Sequence, residues 1–229
     1  MKKIVLFIIS ILLLGSSFAA ADVQVSDNLF TYVNESQNVT TLIYAASFHN
    51  DGDSTISDTG SDLFIYDENE EVIIQVKTDF FGVAKIEPMH VASGEDGYLF
   101  FKYVLPTKML EGRTPTSVEY TGMKTELPVE GETYLSNTVS CDFKNASNKG
   151  YSAKVKVTND TDHAVSNFSV ILRVQDENGD TVYIASGTFF ENLDVGKSKT
   201  VELFLDKNDI NALKKSEHKP KNVIGVVYD

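Results

Sequence analysis

Four aspartates, Asp51, Asp53, Asp58 and Asp62, crowd into one stretch that also carries Ser54, Thr55 and Ser57. Carboxylates and hydroxyls at alternating positions suit the oxygen preference of calcium, and Asp51, Asp53 and Asp62 fall at the first, third and twelfth positions of an EF-hand-like spacing. The sixth position is Ile56, where an EF-hand loop needs Gly for its turn. The stretch is therefore a candidate for weak calcium binding on one reading and a hydrated connection between strands on the other. Calcium is the only cofactor suggested.

The remaining chemistry-bearing residues are scattered. His49, His90, His163 and His218 each lie more than four residues from the next, without the short ligand spacings of zinc or copper sites. No G-x-S-x-G elbow or Ser-x-x-Lys pair stands out, and no glycine-rich phosphate loop is present. Cys141, the single cysteine, sits in the alternating run TVSCDF and reads as a small buried hydrophobe. A glycosidase needs two facing carboxylates, and 33 acidic residues neither exclude nor select such a pair. The expectation is a protein without catalysis; a carboxylate-based secreted hydrolase is the alternative from another class. Tyr98, Phe100, Phe101 and Tyr103 share one strand-like run whose alternate residues are core by default. The pairs Phe80-Phe81 and Phe189-Phe190 recur at one repeat shift, which assigns them a structural role.

What positions these residues begins after a targeting segment. Residues 1–21 read as a basic start, an apolar run from Ile4 to Leu14, and small residues with Ala19, Ala20 and Ala21 at A-x-A-like cleavage choices, the pattern of a cleaved secretory signal. The other reading is a retained membrane anchor. Ser16 stands where a lipoprotein box would carry its Cys, so lipid attachment is not expected. Cleavage removes Lys2 and Lys3 and leaves 18 basic against 33 acidic residues. That balance argues against a nucleic-acid partner and against adhesion to anionic lipid, so no membrane contact is expected apart from the signal. An exported chain with one thiol holds its cores by packing rather than by disulfides. The expected location is secreted or attached to the envelope of a bacterium, of Gram-positive type.

A repeat organises the rest. At a shift of 109, Asn50 to Asn69 lies on Asn159 to Asn178 without a gap, pairing Asn50 with Asn159, Asp51 with Asp160, Leu63 with Leu172 and the DEN run at Asp67 with that at Asp176. Upstream, Leu42, Tyr44, Ala46 and Phe48 answer Tyr151, Ala153, Val155 and Val157, the alternate residues of one inward strand face. Short alternating or β-branched runs separated by Gly, Asn and Asp turns predict an all-β chain of two tandem immunoglobulin-like antiparallel β-sandwiches, residues 23–128 and 129–229. The one convincing helix is Asp206 to Ser216, with Asn208 or Asp209 as its cap, and PTKMLEG is its shorter counterpart. Met123 to Thr133 reads as the connection between the two domains.

The strand LFIYD, Leu63 to Asp67, with the turn ENEEV, resembles the pattern that names the FxLYD domain family of extracytoplasmic sandwich domains, most without an assigned function. HNDGDSTISD before it and FFENLDVGKSKTVELFL in the second copy are similar to other segments of that family. Leu63 and Ile65 replace the Phe and Leu of the name, and the second copy has Leu172, Val174 and Gln175. The resemblance implies a sandwich fold and an exported protein. The functional expectation is a non-enzymatic binding or scaffold protein with a protein or glycan partner outside the cytoplasm, a calcium- or carbohydrate-binding adhesin being the alternative.

Overall fold

The computed structural model describes residues 23–58, 62–77, 84–121 and 123–229. The signal read over residues 1–21 and the Phe80-Phe81 pair lie outside them. The chain divides into two compact units, one ending at Val129 and the other running from Glu130 to Asp229. Both are all-β, built from antiparallel sheets.

In the first unit the strands are β1 (Val23–Asn34), β2 (Val39–Asn50), β3 (Thr55–Asp58), β4 (Asp62–Tyr66), β5 (Val72–Lys77), β6 (Ala84–Glu87), β7 (His90–Val91), β8 (Asp96–Pro106), β9 (Ser117–Tyr120) and β10 (Met123–Glu126), with a 3₁₀ turn at Thr107–Leu110. Strand order is β1-β2-β8-β6 in the largest sheet, β5-β4-β9 in a second and β10-β3-β7 in a third. The alternation read from the sequence sets the inward face. Leu42, Tyr44, Ala46 and Phe48 of β2 share one buried core with Leu99 and Phe101 of β8, Leu63 and Ile65 of β4, and Val118 and Tyr120 of β9. Each fully buried Leu or Ile there contributes about 1.5–3 kcal/mol. Gly97 is the cross-strand partner of Phe48. A Cβ on Gly97 would stand 2.2 Å from the Phe48 ring, so only glycine lets that ring lie over the neighbouring strand.

The second unit carries β11 (Ser136–Cys141), β12 (Tyr151–Thr158), β13 (Phe168–Gln175), β14 (Thr181–Phe189), β15 (Ser198–Leu205), helix α1 (Lys207–Leu213) and β16 (Asn222–Tyr228). Its sheets are β11-β12-β15 and β14-β13-β16, which repeat the orders β1-β2-β8 and β5-β4-β9 strand for strand. The inward residues Val155, Val157, Phe168, Val170, Leu172, Val174 and Leu205 are fully buried. Gly225 of β16 faces the opposite sheet; a Cβ on it would lie 2.5 Å from Asn137 Oδ1 and 2.6 Å from Val139 Cγ2.

Two local expectations change. The cap of α1 is Asp206, whose Oδ1 accepts from Asn208 N at 2.8 Å and Asp209 N at 3.1 Å; Asn208 and Asp209 are the first-turn residues it caps. Ile210 and Leu213, three residues apart on one face of this short helix, are its buried anchors. Met123–Glu126 is not a connection between units, because it pairs with Thr55–Asp58 as a strand of the first. At the other end of the expected connection, the Thr133 carbonyl accepts from Asp229 N within the second unit.

Candidate functional site

The acidic stretch is built on a buried asparagine. β2 ends at Asn50, which has no exposed surface. Its Nδ2 donates to Ser54 O at 2.8 Å and Val91 O at 2.9 Å, and its Oδ1 accepts from Gly52 N at 3.2 Å. The main chain completes the frame, with Asn50 N donating to Glu95 O and Gly94 N to Asn50 O. The second unit repeats it: Asn159 Nδ2 donates to His163 O and Leu193 O, both at 2.8 Å, and Oδ1 accepts from Thr161 N. Asn159 N bonds Lys197 O and Gly196 N bonds Asn159 O. A buried carbonyl without a donor costs about 1–3 kcal/mol, so one amide that satisfies two carbonyls fixes the turn.

Around that frame the candidate ligands disperse. Asp51 and Asp53 stay in the turn and are exposed. Residues 55–58 are extended, and a strand rises about 3.3 Å per residue, so Asp58 is carried to the far end of β3, opposite Met123. The Asp58 side chain lies outside the described part of the structure. Asp62 opens β4, where its carboxylate accepts from Gln75 Nε2 and its carbonyl from Thr121 N and Oγ1. The EF-hand-like spacing is thus interrupted by a strand. Among the described residues, no three His, Cys, Asp or Glu side chains are grouped to hold a metal ion.

One acid of the turn, Asp51, does meet an imidazole that a second carboxylate, Asp96 of β8, also approaches. His49 precedes the buried Asn50 and stands opposite Asp96 in the β2–β8 pairing. Its Nδ1 is 2.8 Å from Asp96 Oδ1 and its Nε2 3.5 Å from Asp51 Oδ1. The hydrogen bond to Asp96 holds the ring's pKa above 6.5, and both carboxylates add to the effect against a smaller opposing contribution of desolvation. In the second unit His163 has Nδ1 3.0 Å from Asp162 Oδ1 and Nε2 3.9 Å from Asp229 Oδ2. Its pKa is raised in the same way, first by the hydrogen bond to Asp162. Sequence reading set these histidines aside as scattered and named Asp51 only as a candidate calcium ligand. Asp96 lies 47 residues from His49 and is found only once the β2–β8 register is known.

The hairpin aspartates of the repeated DEN run form a second shared feature. Asp67 Oδ1 accepts from Asn69 N and Glu71 N, and Asp176 Oδ1 accepts from Asn178 N and Asp180 N, all at 2.9–3.1 Å. Both carboxylates are buried, and Asp176 Oδ2 is 3.5 Å from His218 Nδ1. His90 Nδ1 lies 3.1 Å from Ser57 Oγ.

Cys141, at the end of β11, is half-buried, and its thiol is pushed up to about 11 by desolvation and then by Asp142. Lys214, after α1, opposes that shift; its ammonium donates to Phe143 O and to Tyr151 OH at 2.7 Å and sits 4.0 Å from the Tyr151 ring centroid. These contacts tie α1 to β12. Among the aromatic candidates, Tyr98 and Phe101 are buried. Phe189 stacks on Phe168 at 5.6 Å between centroids, as its structural assignment requires, whereas Phe190 is 84% exposed and packs into no core. Phe190 follows the last residue of β14, so the two phenylalanines do not share one structural role.

No protein-family model matches this chain, and no curated protein matches its sequence. No helix among the described residues is long and apolar enough to cross a membrane.

Proposed function

We propose that the chain is an exported, non-enzymatic binding or scaffold protein that works at or beyond a bacterial cell envelope through a protein or glycan partner. One observation carries this reading. The buried polar side chains that recur at equivalent places in both units, Asn50 with Asn159 and Asp67 with Asp176, direct their hydrogen bonds to backbone turns. These duplicated side chains hold turns in both copies, while the turns they hold differ at exposed positions, such as His163 where the first copy has Ser54. A rigid frame presenting variable loops is the usual arrangement of a recognition module. The three-part pattern of residues 1–21 and the likeness of LFIYD to extracytoplasmic sandwich domains support export.

The test is production of the full chain in a bacterial host, with fractionation and mass measurement of the product. The reading expects an extracytoplasmic form that begins near Asp22, and retention inside the cell when residues 2–21 are deleted. Crosslinking on intact producing cells should then capture a protein or glycan that chains lacking either unit capture less well. An intact cytoplasmic chain, or substrate turnover abolished by a single carboxylate substitution, contradicts the proposal.

A further inference from the structure

The imidazoles of His49 and His163 each stand between two carboxylates, beside the buried asparagine that anchors the turn of their unit. A neutral imidazole has one N–H and can donate to one carboxylate only; its other nitrogen then turns a lone pair towards the second. The imidazolium has a donor on each nitrogen, so the nearer carboxylate takes a hydrogen bond and the farther one, at 3.5 or 3.9 Å, an ion pair. In the first unit these are Asp96 at the start of β8 and Asp51 in the turn. In the second they are Asp162 in the turn and Asp229 after β16. The two histidines do not occupy equivalent positions, since His49 precedes Asn50 by one residue and His163 follows Asn159 by four. The same arrangement is therefore reached twice from different places in the chain. His163 is also tied into the frame through its carbonyl, which accepts from Asn159 Nδ2 and Thr161 Oγ1.

We infer that each unit carries a proton-operated clamp on its asparagine-anchored turn, closed when the histidine is an imidazolium bridging two carboxylates and released when the ring is neutral. In the first unit closure ties the turn Asp51–Ser54 to the start of β8. In the second it ties the turn Thr161–His163 to the end of β16. The direction follows from linkage. A histidine held above its unfolded value of 6.5 contributes fully below that value, and the contribution is lost as pH rises through the folded value. The turns are thus tight in mildly acidic surroundings. Above the histidine range Asp51 and Asp229 lose their cationic partner, which changes the charge and mobility of the surface the Proposed function assigns to recognition. The inference rests on that reading for its use, not for its chemistry.

The experiment is ring-proton NMR titration of the full chain, combined with amide exchange expressed as protection relative to the intrinsic rate at each pH. The expected midpoints of His49 and His163 lie above 6.5. Asp96→Asn should lower only the first and Asp162→Asn only the second. Protection of the Gly52 amide should be several-fold higher at pH 5.5 than at pH 8, and His49→Gln should remove that difference while leaving protection in β12 unchanged. Thr161 should behave likewise in His163→Gln. Midpoints at or below 6.5, or turn protection that does not vary with pH in the parent chain, overturn the clamp. Neither result depends on export or on a partner.

Discussion

Asn50 and Asn159 make the same two side-chain donations to the same two places in their respective units, to the carbonyl four residues on and to a carbonyl of the strand or bridge that closes the turn. The second acceptors are Val91 and Leu193, which lie across from Ile56 and Val165, the repeat-mates six residues after each asparagine. An asparagine placed there adds a buried side-chain donor to carbonyls on both sides of the turn, and in the second unit it shares Leu193 O with Val165 N and His163 O with Thr161 Oγ1. The relation explains why the repeat is densest from Asn50 onward, and why acids around it can differ without loss of the turn.

The hairpin aspartates should behave as acceptors first and charges second. Asp176→Ala leaves two backbone N–H groups without their side-chain acceptor, and at about 1–3 kcal/mol per orphaned group the second unit should lose roughly 2–6 kcal/mol. Asp176→Asn keeps an oxygen in place and should cost clearly less. Urea unfolding followed by exchange in β13 and β16 measures both; equal losses for Ala and Asn would mean that the pairing with His218, not the turn, is what counts.

Gly225→Ala places a methyl 2.5 Å from Asn137 Oδ1 and 2.6 Å from Val139 Cγ2, across the sandwich. Overpacking of this kind costs about 1–3 kcal/mol. A second substitution, Val139→Ala, should recover part of the loss by making room, which a thermal melt of the single and double variants reads directly.

Cys141 should be slow. With its thiol at about 11 instead of 9.0, the thiolate fraction at pH 8 falls about a hundredfold. Alkylation in the folded chain should be slower than in urea by about that factor. Lys214→Met, which removes the nearby positive charge, should slow it further without unfolding the chain. Native and denatured rates that agree within a factor of two would place the thiol elsewhere.

Alkaline pH should unfold the chain through its tyrosines. Tyr44 is held well above 10.0, foremost by burial; Tyr66 is pushed up to about 12, foremost by its hydrogen bond to Glu119; and Tyr183 is raised foremost by burial. Their neutral forms favour the fold, so this contribution is complete below the unfolded value near 10 and is lost as pH climbs through the folded values. Absorbance at high pH should show a normal group of phenols ionising first and a delayed group that ionises together with loss of β-structure. Glu119→Gln should bring Tyr66 back towards 10.

What could be read from the sequence follows the strength of the alternation. Tyr151–Thr158, Phe168–Gln175 and Asn222–Tyr228 are strands over the very residues their patterns mark, because one face of each is apolar without interruption. β3 and β10 escaped notice: TISD lies in an acidic stretch and MKTE is polar, and they are strands because β3 pairs with β7 and β10 pairs with β3. The same reason hid the fate of the candidate calcium ligands, since a strand recognised at Thr55–Asp58 would have separated Asp51 and Asp53 from Asp62. Asn50 and Asn159 were visible as an identity between copies, but their partners at Val91 and Leu193 are 41 and 34 residues away. Contacts of that range are set by sheet order, which no local pattern encodes.

The most direct measurement of the central claim, that one asparagine frame holds each unit, is residue-resolved amide exchange of the full chain for Asn50→Ala and Asn159→Ala. Asn50→Ala should lower protection at Glu95 and Gly94 and through β2 and β8, and leave β12 and β15 at parent values; Asn159→Ala should do the reverse, at Gly196 and Lys197 and through β12 and β15. Unchanged protection in both variants, or equal loss in both units from either one, would contradict it.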